Sequence, residues 1–209
     1  MKIRLDQLRS DLFKTPSIPD TPHKKSGVII PILFDSDSFL LTRRSVHLKH
    51  HAGQISFPGG TMEDNDENLL ETALREWEEE MGESRDRLSV QGEFERLETG
   101  TGFHISSYVA IYSGNQNFRL SDEVDSVLQV SLQDLQNADF YSVDLVREGR
   151  KRTAHYFDLQ TGLLWGATAE LLIRFCRKFT DFDRIPTPVK SNLAQPPFLD
   201  VSVLKTLNR

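Results

Sequence analysis

The chain has 209 residues, 38% of them hydrophobic and 27% charged, a balance that belongs to a globular domain rather than a disordered one. Its formal charge of −6 argues against a nucleic-acid partner, because phosphate backbones call for basic surface. No apolar run reaches the ~18 residues that a membrane-spanning helix needs, and the single cysteine, Cys176, precludes an internal disulfide.

The opening residues, Met1-Lys2-Ile3-Arg4-Leu5-Asp6, lack the apolar stretch of a secretory signal, so a cytoplasmic setting is expected. Residues 4–13 place Leu5, Leu8 and Leu12 on one helical side, and Pro16, Pro19 and Pro22 then interrupt any helix. Residues 1–25 therefore read as a helical arm and linker, suited to a homodimer contact. Val28 to Phe34 and Phe39 to Thr42 are expected to pair as strands across Asp35-Ser36-Asp37-Ser38. The segment after them is basic, with Arg43, Arg44 and Lys49, and it carries His47, His50 and His51, read as a polar loop.

Next comes Gly59-Gly60, a pair that lets backbone approach a ligand closely. The spacing predicts a helix over 67–81. Counting about 100° per residue from Glu76, Glu79 falls near ~300° and Glu80 near ~40°, so the three share a face. Leu70, Ala73, Leu74, Trp77 and Met81 form the apolar stripe of a core-facing helix, and Gly82 follows where a left-handed cap ends it. Carboxylates one turn apart repel each other, and hard divalent cations take such oxygens as ligands. The carboxylate face thus reads as a metal and pyrophosphate site.

Strands are expected again at Leu88 to Phe94, Ile105 to Tyr112 and Val124 to Val130, and helices near 131–137 and 166–179. Cys176 lies among apolar residues of the last helix and reads as a small core residue. Residues 179–209, with Pro186, Pro188, Pro196 and Pro197, read as an extended tail. Strands interspersed with two main helices give an α+β fold, its principal domain spanning 26–178.

Arg75, Glu76, Trp77, Glu79, Glu80 and Gly82 resemble the Nudix hydrolase signature G-x5-E-x7-R-E-U-x-E-E-x-G-U, where U is a bulky apolar residue. Two positions depart from it. Glu83 stands where an apolar residue is usual, and Asp66 holds the first glutamate position with eight residues, not seven, between it and Arg75. One inserted residue before the helix absorbs the difference. Leu40-Leu41-Thr42-Arg43-Arg44-Ser45, Lys49, Gly53 and Phe57-Pro58-Gly59-Gly60 look like the additional signature of the coenzyme A pyrophosphatase branch, which also has the longer spacing. Lys49 replaces that branch's arginine, keeping the charge but losing the planar fork. Leu164-Trp165-Gly166-Ala167-Thr168-Ala169 resembles a further segment of the same branch.

The resemblance implies a Nudix-type α/β/α sandwich with a mixed sheet, and hydrolysis of a small-molecule diphosphate using Mg2+ or Mn2+. Glu76, Glu79, Glu80 and the Gly59 carbonyl are the implied metal ligands, and Arg75 braces a ligand glutamate. The general base is either Glu79 or Glu123, the latter from the loop before the strand at 124–130. Arg44, Lys49, Gly60 and Phe103 are the implied substrate contacts. Coenzyme A or its thioesters are the first expected substrates; ADP-ribose, a dinucleotide, or a non-catalytic nucleotide sensor are the rivals.

Overall fold

The structure is a computed structural model that describes residues 1–12, 18–147 and 150–189; Pro16, Pro196 and Pro197 lie outside the described residues. Contacts divide these residues into two compact units, one of residues 2–131 and one of residues 132–189 together with Met1.

The first unit runs α1 (Leu5–Asp11), β1 (Lys24–Leu33), β2 (Ser38–Arg44), β3 (Ile55–Ser56), β4 (Gly59–Thr61), α2 (Leu69–Met81), β5 (Leu88–Glu98), β6 (Phe103–Tyr112) and β7 (Val124–Ser131). Its seven-stranded sheet has the order β3-β2-β1-β6-β5, with β4 also paired to β1 and β7 to β2. β1 and β6 are parallel, from Lys24 opposite Phe103 to Ile32 opposite Ile111, whereas the other pairs are antiparallel. A parallel pair needs a long crossover, and here the crossover contains α2. The sheet is therefore mixed and the arrangement α+β, as expected.

The continuous apolar run Val28-Ile29-Ile30-Pro31-Ile32 marks β1 as a central strand covered on both faces. β1 pairs with β2 only at Ile32 and Leu33, next to the turn that joins them. Lower down, its edge is taken by β4, with Val28 opposite Gly59 and Gly27 opposite Gly60. That change of neighbour carries the glycine pair to the helix. α2 buries Leu69, Ala73, Trp77 and Met81 against Ile29, Tyr108 and Tyr112, with the Trp77 and Tyr112 rings 5.5 Å apart. A Cβ at Gly27 would overlap the Leu69 carbonyl, so this glycine sets how closely α2 lies on β1. The expected arm contains α1, which packs on β5 and buries Leu8 completely.

The second unit runs α3 (Leu132–Asn137), β8 (Asp139–Arg147), β9 (Arg150–Leu159), β10 (Gly162–Trp165), α4 (Gly166–Phe179) and β11 (Thr187–Val189). Its sheet has the order β10-β9-β8-β11, and α4 packs on β9 and β10. The sequence pattern predicts no strand between 139 and 165. Charge hides the pattern, because β9 begins Arg150-Lys151-Arg152 and β8 carries Asp139 and Asp144. What holds the hairpin is cross-strand aromatic pairing, Phe140 opposite Phe157 and Tyr141 opposite Tyr156. The Phe140 and Phe157 rings stack with centroids 4.3 Å apart. Pro188 lies in β11 at the sheet edge, where a missing N–H is tolerated. Cys176 is buried in α4, and burial pushes its thiol up to about 12, which makes it an inert core residue. Among the described residues no helix is long and apolar enough to cross a membrane.

Candidate active site

α2 is fixed at both ends by local chemistry. Asn68 caps its start, its side-chain oxygen accepting from the Leu70 and Glu71 amides at 2.9 and 3.1 Å. Gly82 ends it in the left-handed region at φ 58°, its N–H donating to the Glu78 carbonyl. Between those caps, the helix turns Glu76 toward Gly60 of β4 and Glu80 toward Gly59 of β4 and Arg44 of β2, while Glu79 stays exposed.

The glycine pair is shaped around those carboxylates. A Cβ at Gly60 would overlap the carboxylate of Glu76. Gly59 has φ +149°, and a Cβ there would overlap the Gly27 carbonyl on β1. Its backbone N–H donates to Glu80 Oε2 at 3.1 Å. Gly60 thus makes room for one glutamate and Gly59 anchors another.

Arg75 ties the helix to the preceding loop. Its Nε and Nη2 donate to the two oxygens of Asp66 at 3.1 and 3.2 Å, and Nη2 also reaches the Thr61 carbonyl at 3.2 Å. Nη1 donates to Glu76 Oε1 at 3.1 Å and Glu79 Oε2 at 2.9 Å. Burial pushes the Asp66 carboxyl up, but the Arg75 fork and the Glu63 amide more than offset it and hold the group below its ordinary value. With its oxygens spent on Arg75 and the Glu63 amide, Asp66 is a loop clasp.

The carboxylates differ sharply in setting. Glu80 is 4% exposed, and burial above all pushes it up to about 7, with Glu76 and Glu123 adding to the rise while the Gly59 amide and Arg44 oppose it. Glu76 is also raised, again chiefly by burial and against the pull of Arg75. Glu79 and Glu123 are exposed at the rim. Glu79 and Glu123 both raise Glu76, and Glu76 and Glu123 both raise Glu80, which brings the residue before β7 into the neighbourhood of the helix carboxylates.

Glu123 reaches that region through β7. The β2–β7 register pairs Arg43 with Ser126 but Arg44 with Val124, leaving Asp125 as an extra residue in the ladder. Such a bulge re-aims neighbouring side chains. The Ser45 amide donates to the Glu123 carbonyl at 2.7 Å, and Arg44 Nη2 meets Glu123 Oε2 at 3.3 Å. Arg44 Nη1 lies 3.5 Å from Glu80 Oε1.

The remaining expected residues are less gathered. Lys49 is exposed in the loop between β2 and β3, and His47, His50 and His51 stand exposed in the same loop. Phe103 opens β6, half-buried, with Lys24 Nζ 5.8 Å from its ring centroid. It sits three residues along β6 from Ser106, which shares a register with Gly27 and Gly60, so roughly 10 Å from the glycine pair along the strand. Gly27, Asp66 as the partner of Arg75, and the Asn68 cap were missed by the sequence reading. Only Asn68 had a readable signal, a capping residue directly before an apolar periodic run.

The donor set suits a hard divalent cation: its oxygens are carboxylates, one of them on the buried Glu80 and one on the half-buried Glu76, where burial penalises an uncompensated negative charge. Among the described residues the acidic side chains do not close on one another as a three-ligand cluster. Instead, Arg75 bridges Glu76 and Glu79, and Arg44 bridges Glu80 and Glu123.

Comparison with known proteins gives a consistent result. The family model for the NUDIX domain matches residues 23–153. An uncharacterized Nudix hydrolase, NudL, of Yersinia pestis is 33% identical over 153 residues, spanning 72% of this chain and 77% of that protein. NudL of Yersinia pseudotuberculosis matches to the same extent. Among solved structures, a NUDIX hydrolase from Nitrosomonas europaea aligns over 56% of this chain and 62% of its own, with 21% identity and a TM-score of 0.45.

Proposed function

The chain belongs to the Nudix hydrolase family, and from that premise we propose that it cleaves the diphosphate of coenzyme A or its thioesters. The products are 3′,5′-ADP and (acyl-)4′-phosphopantetheine. The observation that carries this reading is the placement of Arg44, from the segment Leu40 to Ser45 that resembles the coenzyme A branch, against the α2 glutamate Glu80 and the loop glutamate Glu123.

In this reading Glu76, Glu79, Glu80 and the Gly59 carbonyl hold Mg2+ or Mn2+, which when bound supplies neutralising charge at the diphosphate oxygens. Arg75 keeps Glu76 and Glu79 aimed while its other edge fixes Asp66 and Thr61. Gly60 leaves the space that the Glu76 carboxylate occupies beside β4. Glu123, exposed at the rim, takes the proton from the attacking water, with Glu79 as the competing base. Arg44 and Lys49 engage phosphate groups, and Phe103 packs on the organic part of the substrate. A reducing cytoplasm and a homodimer complete the proposal.

The test measures 3′,5′-ADP released from coenzyme A beside AMP released from ADP-ribose, with Mg2+ and then with Mn2+. Coenzyme A should be turned over faster. Much faster turnover of ADP-ribose sinks the substrate assignment, and inertness toward every diphosphate with either metal points to a ligand-binding sensor.

A further inference from the structure

Two arginines neutralise the acidic region, and they are held very differently. Arg75 donates to Asp66, Thr61, Glu76 and Glu79 at 2.9–3.2 Å. Every edge of its guanidinium is engaged. Arg44 makes one hydrogen bond at 3.3 Å, to Glu123, and one looser ion pair at 3.5 Å, to Glu80. Charge-assisted contacts of good geometry are shorter, about 2.7–2.9 Å. Its Nε is buried and has no hydrogen-bond partner among the described residues, a cost for a guanidinium with five donors to place.

The two carboxylates it bridges come from separate parts of the chain, Glu80 from the end of α2 and Glu123 from the turn just before β7. Glu80 is anchored independently by the Gly59 amide, so it holds its position whether or not Arg44 is present. Glu123 is exposed and also free to keep its place, its carbonyl being tied to the Ser45 amide. The guanidinium is the one loosely fitted member of the set.

We propose that Arg44 is a displaceable internal counter-cation: it bridges Glu80 and Glu123 until a divalent cation takes over their charge, and the released guanidinium then turns to the substrate diphosphate. This rests on the reading in which Glu80 ligates the metal. It goes beyond that reading by making metal loading and phosphate binding sequential uses of one side chain. Arg44 withholds the acidic site from the cation and becomes available to the anion only after the cation has arrived.

The experiment uses the full chain stripped of metal with chelator, and reads free Mn2+ by electron paramagnetic resonance. A group that occupies the site part of the time weakens apparent affinity in proportion, so Arg44→Gln should bind Mn2+ about tenfold more tightly than wild type without substrate, while KM for the diphosphate rises. Unchanged or weaker Mn2+ affinity in a folded Arg44→Gln overturns the proposal. A second measurement needs no substitution in the observed protein. The Arg44 Nε resonance of wild type, assigned by its loss in Arg44→Lys, should shift along the Mg2+ binding curve. A resonance unmoved at Mg2+ saturation also overturns it. Glu80→Gln separates the two levels: if it keeps wild-type Mn2+ affinity, the ligand reading itself fails, whatever Arg44 does.

Discussion

Gly60 faces the Glu76 carboxylate across so small a gap that one added methyl group would occupy the space of its oxygens. The contact joins two elements that the chain makes separately, a three-residue strand and a thirteen-residue helix. It therefore links the glycine pair to the carboxylate face through van der Waals volume alone. Gly60 has no positive φ, so the requirement is steric and concerns Glu76 directly.

Gly60→Ala should displace Glu76 and lower kcat at least tenfold with little change in thermal midpoint, because the flexible carboxylate yields first. Gly27→Ala should do the reverse in kind. Its Cβ meets the Leu69 backbone, which cannot yield without moving α2, so a loss of about 1–3 kcal/mol is expected. Denaturant melts and steady-state kinetics on both variants check the contrast; equal stability for the two would refute it.

Arg75→Lys should behave nearly as badly as Arg75→Ala. An ammonium cannot span Asp66, Thr61, Glu76 and Glu79 at once. The expected outcome is a fall in kcat of about 10²-fold with a smaller effect on KM, since loosening positioned groups by about 1 Å costs that much. Recovery of more than half the activity by lysine would mean that charge, not the fork, is what the site needs.

Removing the general base should lower kcat by about 10²–10⁴-fold. Glu123→Gln is expected to fall in that range. If Glu123→Gln retains more than a third of wild-type kcat, water activation belongs to Glu79, and Glu79→Gln should show the larger loss.

The Glu80 carboxyl, raised from 4.5 to about 7 by burial, makes metal-free stability depend on pH. Between those values the folded chain keeps a proton at this position that the unfolded chain releases, so the Glu80 contribution is complete below about 4.5 and declines as pH rises toward 7. The difference in melting temperature between wild type and Glu80→Gln should therefore shift against wild type over that interval. Added Mg2+ should remove the shift, and stabilise wild type by about 2.7 kcal/mol at a hundredfold excess over Kd. A difference flat with pH in chelator would contradict the buried, proton-retaining carboxyl.

Lys49→Ala should reduce discrimination for coenzyme A over ADP-ribose, lowering kcat/KM for the former selectively. Lys49 is exposed and distant from the helix carboxylates in sequence, so folding should be unaffected. An equal fall for both substrates would place Lys49 outside selectivity.

The helix and its two faces were legible in the sequence because helical periodicity is local: Trp77 and Met81 fall on one side and Glu76, Glu79 and Glu80 on the other in any α-helix. The strand runs 28–34, 88–94 and 105–112 were legible because their signals are local too: a continuous apolar run in the first, and apolar, β-branched and aromatic residues within short segments in the others. What escaped depends on partners distant in the chain. Gly27 matters only because α2 returns over β1 forty residues later. Glu123 meets Arg44 only because one extra residue, Asp125, interrupts the β2–β7 ladder. The β8–β9 hairpin is held by aromatic pairs that neither strand shows alone.

The Asp66–Arg75 clasp changes what the spacing of such a site means. A guanidinium that grips a carboxylate and a loop carbonyl through the same nitrogen senses where the loop ends, and is indifferent to how many residues it used to get there. Insertions between Thr61 and Asn68 should be tolerated wherever an acid can still be returned to Arg75. A search pattern with fixed gaps would reject chains whose sites are intact; one that asks for an acid ahead of the helix cap would keep them.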